Sequence, residues 1–140
     1  MEKRTYCASS QNLKSSSLYK GRMQLLSNDM RFSESIIIAV DILSGQISDA
    51  NEAATNFYGH SFEKLLSMKT YDITKLPYFV VMKKRMEAAQ KISTIFIFPH
   101  ILADGTVTDV EVRSFPVNID GRRYLFSEII EISASNKAML

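Results

Sequence analysis

At 140 residues the chain has the length of one domain, and a 46% hydrophobic content is enough to build a core without disulfides. Its longest strongly apolar run, Ile36–Val40, is far too short to span a membrane, and no apolar segment follows the basic start Met1-Glu2-Lys3-Arg4, so neither a transmembrane helix nor a signal peptide is expected. The net charge of +2 is concentrated in residues 1–22, where Lys3, Arg4, Lys14, Lys20 and Arg22 stand against Glu2 alone, and no basic face with interleaved aromatics is visible, which argues against nucleic-acid binding.

Residues 1–17 are polar and Ser-rich without periodicity, and read as a disordered or loosely ordered leader. The single cysteine, Cys7, lies in it; it excludes an internal disulfide and suits a reducing, cytoplasmic setting. Residues 18–32 have helical spacing. Tyr19, Met23, Leu26 and Met30 fall on one stripe, which predicts a short amphipathic helix that needs a partner surface. Gly21 weakens its start.

Ile36–Ile42 is β-branched and bounded by turn signals, hence a buried strand. Ser44-Gly45 turns the chain into a second short strand, Gln46–Ser48. Asn51 suits a helix N-cap, Glu52 sits well in the first turn, and Gly59 suits a left-handed C-terminal residue. Ala53, Ala54, Phe57 and Tyr58 give that helix an inward face, and Ser61 caps another short helix carrying Phe62, Leu65 and Leu66. Met68–Lys75 is irregular. Because Pro77 is tolerated only in a first turn, a longer helix is predicted from Leu76 to Lys91, with Phe79, Met82, Met86 and Ala89 inward and Lys83, Lys84, Glu87 and Lys91 outward.

Three strands close the chain. Thr94–Leu102 meets Val107–Phe115 through Asp104-Gly105, and that strand meets Arg123–Ile132 through Asp120-Gly121, two hairpin signals that make an antiparallel meander. Both alternating sets of Thr94–Leu102 are largely apolar, so both faces should be covered, one by the core and the other by the N-terminal helix or a partner chain. Met23, Leu26 and Met30 on the helix and Ile95, Ile97 and Ile101 on the strand are the residues expected to meet, or to form a homodimer face.

The order strand, strand, short helices, longer helix, meander resembles a PAS domain over residues 33–133. So do Asp49-Ala50-Asn51-Glu52-Ala53-Ala54, Phe57-Tyr58-Gly59 with Ser61-Phe62-Glu63-Lys64-Leu65, Phe98-Pro99-His100-Ile101-Leu102-Ala103-Asp104-Gly105, and Glu131-Ile132-Ser133. The resemblance implies an α+β fold, a five-stranded antiparallel sheet of order 2-1-5-4-3 with the helices on one face around a small cavity. It implies a non-catalytic sensory and dimerisation module of bacterial signalling, with residues 134–140 leading toward an output domain such as a histidine kinase or diguanylate cyclase. The alternative is a ligand-free protein-interaction module.

Departures from the family matter too. The Asn-Cys-Arg-type motif of its flavin-binding members is missing, and no histidine lies in Leu76–Lys91, where oxygen-sensing haem members carry one. Neither cofactor is therefore expected, and any ligand is an unspecified small molecule. Phe57, Tyr58, Phe79, Met82, Met86, Phe98, His100 and Phe126 are the candidate cavity lining, although aromatic and Met residues at such spacings fill plain cores first. His60 and His100 lack zinc-site spacing. Asp109, Glu111 and Arg113 alternate with Val110 and Val112 as a solvated strand face does. With no phosphate loop, nucleophile elbow or metal constellation, no enzymatic activity is expected.

Overall fold

The structure, a computed structural model, describes residues 12–13 and 18–132. Expectations for the rest of the leader, for Cys7 and for residues 133–140 lie outside the described residues.

Five strands build the main sheet: β4 (Ile36–Asp41), β5 (Ile47–Ala50), β6 (Thr94–Ile101), β7 (Val107–Ile119) and β8 (Arg122–Glu131). They lie side by side as β5-β4-β8-β7-β6, every pair antiparallel, which is the expected 2-1-5-4-3 order. The β7–β8 register runs from Ile119↔Arg122 outward because Asp120 and Gly121 both take positive φ, +51° and +83°, the twist that a two-residue hairpin needs. At the Asp104-Gly105 turn, the Asp104 carboxylate accepts the Thr106 N–H at 2.9 Å.

The helices α2 (Glu52–Tyr58), α3 (Phe62–Leu66) and α4 (Tyr78–Ala88), with a 3₁₀ turn at Thr70–Ile73, pack on one face of this sheet. Asn51 caps α2 by accepting the Ala54 N–H at 3.0 Å, Gly59 ends it at φ +80°, and Ser61 caps α3. Asn51 also accepts the Ile37 N–H and donates to the Met30 and Ser35 carbonyls, so one buried amide ties the helix start to two other segments. The core between the layers holds Ile38, Val40, Ile47, Ala54, Tyr58, Leu65 and Val110. Helix α4 is shorter than Leu76–Lys91, because Pro77, at φ −61° and ψ 151°, stays extended ahead of the first turn.

The single helix expected over residues 18–32 does not form. Lys20 and Gly21 have φ +50° and +78°, and they turn β2 (Leu18–Tyr19) back onto β3 (Arg22–Met23). Only one helical turn follows, α1 (Asn28–Arg31), capped by Ser27. Glycine at the second position of a two-residue turn favours the hairpin there, while so short a helix gains little from its own hydrogen bonds. The predicted stripe therefore scatters. Tyr19 packs edge-on against Phe62 among the helices, Met23 is exposed, and Leu26 and Met30 reach the opposite face of the sheet. There they join Ala39, Val117, Ile119, Tyr124 and Phe126 in a second apolar cluster.

A buried ion pair anchors this segment. The Arg31 Nη2 donates to Asp49 Oδ2 at 2.6 Å with both side chains almost fully buried, and Arg31 also donates to the Ala50 carbonyl and to Gln24. Asp49 Oδ2 accepts the Leu25 and Leu26 N–H groups as well, and its Oδ1 accepts that of Ala50. The Tyr19 ring lies 3.9 Å from the Arg31 guanidinium carbon.

The second face of β6 is not covered as expected. Ile95 and Ile97 are 62% and 54% exposed, and Ile101 is half-buried, because Leu26 and Met30 lie over β7 and β8 instead. Strand β1 (Asn12–Leu13) adds a short parallel pairing to β7 at Asn118–Ile119, past the stretch that β6 occupies.

Candidate functional site

A cavity lies between α4, the 3₁₀ turn and the inner face of β4, β6, β7 and β8. Its volume is about 60 Å³, against about 10–15 Å³ for one water. The walls are mainly apolar, supplied by residues such as Ile38, Val40, Val81, Phe96 and Leu125. Strand alternation sets which β6 residues reach it: Phe96, Phe98 and His100 point inward, and Ile95 and Ile97 point out.

The predicted lining is split by the structure. Phe98 and His100 line the cavity, with their rings stacked at 5.8 Å between centroids. Tyr58 stands behind them, fully buried, its hydroxyl 2.8 Å from His100 Nδ1. Phe57 packs edge-on to Tyr58 and is only half-buried. Phe79, Met82 and Met86 turn away from the cavity and are 64%, 37% and 40% exposed. Phe126 belongs to the other face of the sheet, since Leu125, Ser127 and Ile129 take the inward positions of β8.

The inward face of α4 is Val81, Lys84, Arg85 and Ala88. Two charges in this stripe hide it from a search for apolar spacing. Arg85 turns inward because its Nε donates to the Ile42 carbonyl at 2.9 Å, where the chain leaves β4. Residue 45 must be glycine for this packing. A Cβ there would stand 2.5 Å from Arg85 Nη1 and 3.4 Å from Thr70 Oγ1, and φ is already +78°. Ser114 and Ser127, cross-strand partners in register, share a 2.7 Å hydroxyl–hydroxyl bond in the cavity wall.

Burial fixes the protonation of these groups. It pushes His100 down to about 4 and the Tyr58 phenol well above its ordinary value, so the pair is neutral at neutral pH. Burial also lowers Arg85, opposed by Tyr78 and Asp41, but an arginine stays charged throughout. No lining residue is acidic. His60 is half-buried beside a broad open groove that Tyr19 and Lys20 also line. Among the described residues, no three His, Cys, Asp or Glu side chains gather as a metal site, and no helix is long and apolar enough to cross a membrane.

Sheet order, helix placement and cavity together define the fold class: the chain has the PAS fold. It superposes on the PAS domain of an HTR-like protein from Haloarcula marismortui with a TM-score of 0.68 at 17% identity, covering 74% of this chain and 86% of that one. The PAS domain of a Desulfitobacterium hafniense protein matches at 0.66 with 23% identity, covering 75% and 99%. A PAS domain from a two-component sensor histidine kinase matches at 0.61 with 19% identity, covering 72% and 87%. In sequence, the chain is 30% identical over 99 residues to the diguanylate cyclase DgcM of Escherichia coli K12, covering 66% of this chain and 23% of the relative. It thus spans about a quarter of the length of that relative. No family model matches the sequence.

Proposed function

We propose that the chain is a non-catalytic sensory module of a cytoplasmic signal-transduction protein. In this reading, what fills the cavity is read out through association with a second copy across the outer face of β6, and is passed to an output domain. The alternation of β6 carries the reading. Phe96, Phe98 and His100 border the cavity, and the intervening Ile95 and Ile97 are apolar and uncovered. A group that fills the cavity therefore bears on a strand whose opposite face is apolar and exposed among the described residues. The mechanism is a population shift: a ligand moves the balance between two packings only by its difference in affinity for them.

A second copy suits the outer face. Ile95 lies opposite Arg113 and Ile97 opposite Glu111, so charges of both signs border an apolar centre, and a two-fold axis can bring unlike charges together. The similarity to DgcM favours a diguanylate cyclase as the output domain, and a histidine kinase is the alternative. Sedimentation of the chain over a range of concentrations tests the association. The wild type is expected to dimerise as concentration rises, and Ile97→Glu to stay monomeric with an unchanged circular dichroism spectrum. A wild type that remains monomeric throughout overturns the dimer reading.

A further inference from the structure

We infer that the cavity binds a small monocarboxylate with an apolar body, its carboxylate held by Arg85 Nη1 and Thr70 Oγ1. The inference rests on the sensory reading above and adds the chemistry of the ligand. Arg85 is 7% exposed, yet only its Nε–H has a protein acceptor, and Nη1 is fully buried with no hydrogen-bond partner among the described residues. The Thr70 hydroxyl is buried without a partner as well. Arg85 Nη1 occupies the space that a Cβ on Gly45 would take, Thr70 Oγ1 lies beside it, and both residues line the cavity.

Charge points the same way. Asp41 lies close enough to act on Arg85, but its carboxylate is engaged with the Ser44 N–H and hydroxyl and stands 3.6 Å from Arg122. Lys84 lines the same cavity with its ammonium 4.6 Å from the Phe96 ring centroid, so the lining carries two cations and no anion. A buried cation with an orphaned N–H, beside an orphaned hydroxyl, is complemented by an acceptor with two oxygens and one negative charge. The apolar walls disfavour phosphate, which needs more donors to offset its desolvation. The size sets the body, because the cavity has room for about four to six water-sized groups. Butyrate and isobutyrate are of that scale.

The experiment titrates the full chain with isobutyrate, butyrate, isobutyramide and inorganic phosphate, followed by amide NMR shifts at Phe96, Val112 and Ser127 and by calorimetry. The carboxylates are expected to bind and to shift these amides, and the amide and phosphate to do so at least about tenfold more weakly. Arg85→Gln is expected to weaken isobutyrate about ten- to a hundredfold. Thr70→Val, which keeps shape and removes one hydroxyl, gives a smaller loss in the same direction and serves where Arg85→Gln does not fold. Isobutyramide binding as tightly as isobutyrate, or Thr70→Val and a folded Arg85→Gln both leaving affinity unchanged, overturns the carboxylate assignment while the sensory reading stands. No shift with any probe overturns the assignment and also removes small-molecule support from the sensory reading.

Discussion

Replacing Asp49 with alanine should be among the most damaging single changes in the chain. The substitution strips Arg31 of its carboxylate partner at 2.6 Å and leaves the Leu25 and Leu26 N–H groups without their acceptor. Arg31 is 2% exposed, so its charge would stay buried and uncompensated. Breaking such a pair costs about 3–5 kcal/mol. The alternative open to the protein is to release residues 18–31, which lets Arg31 return to water but uncovers Leu26, at about 2–3 kcal/mol for that side chain alone. Met30 and the Tyr19 ring over Arg31 add to the cost of release. Both routes lead to a loss of about 3–4 kcal/mol, a large share of the 5–15 kcal/mol typical of a domain. Urea unfolding of wild type and variant measures the loss, and hydrogen exchange at Leu25 and Leu26 shows which route is taken. Because a buried pair is often replaceable by apolar groups of similar volume, Arg31→Met combined with Asp49→Leu should recover the part of the loss due to the uncompensated charge, while the unpaired Leu25 and Leu26 N–H groups keep the variant below wild type. A loss below about 1 kcal/mol for Asp49→Ala, with both amides still protected, would refute the anchoring role.

Three further predictions rest on separate features. His100 titrates at about 4 in the folded chain and near 6.5 unfolded, so the unfolded state holds more protons between those values; stability is therefore full above about pH 6.5 and falls by about 3 kcal/mol as pH drops to about 4. His100→Asn should flatten that slope in pH-dependent denaturation despite the nearby Lys84 and Arg85, and a slope identical to wild type would count against it. Gly45→Ala combines positive φ with a Cβ 2.5 Å from Arg85 Nη1 and should lower stability by about 2–4 kcal/mol, with Gly105→Ala, in open space at φ +89°, losing less in the same thermal unfolding assay. Asn51→Ala should cost about 2–4 kcal/mol by urea titration, above the usual loss of about 1 for an N-cap, since it also takes the acceptor from the Ile37 N–H and a donor from each of the Ser35 and Met30 carbonyls, the latter keeping the Ser33 N–H; a loss of 1 or less would show those bonds contribute nothing.

Much of the frame was legible because its signals are local. Asp120-Gly121 sets a hairpin through two adjacent φ angles, Asn51 caps a helix three residues away, and Gly59 ends it at φ +80°. These depend on covalent neighbours and backbone sterics, so residue order alone specifies them, and with them the succession of elements. The residue order also made both faces of β6 apolar, but the cover it predicted for the outer face is absent among the described residues, where Ile95 and Ile97 stand exposed.

Long-range packing decided the remainder. Arg31 and Asp49 are 18 residues apart, and nothing near either residue announces that one will neutralise the other. Tyr19, Met23, Leu26 and Met30 fit a helical period as well as the scattered positions they occupy, and the Lys20-Gly21 turn prevails because Leu26 gains more on the sheet than a free helix gains from its own bonds. On β8 both parities carry large apolar residues, so Phe126 could be assigned inward until the pairing with β4 and β7 set Leu125 and Ser127 there. On α4 the apolar stripe ran through Phe79, Met82 and Met86, but the Ile42 carbonyl, brought close only when the sheet and helix pack, draws Arg85 inside and rotates those three residues out. The cavity thus acquired a buried, partly unpartnered cation that spacing could not reveal, because the acceptor holding it lies 43 residues back along the chain.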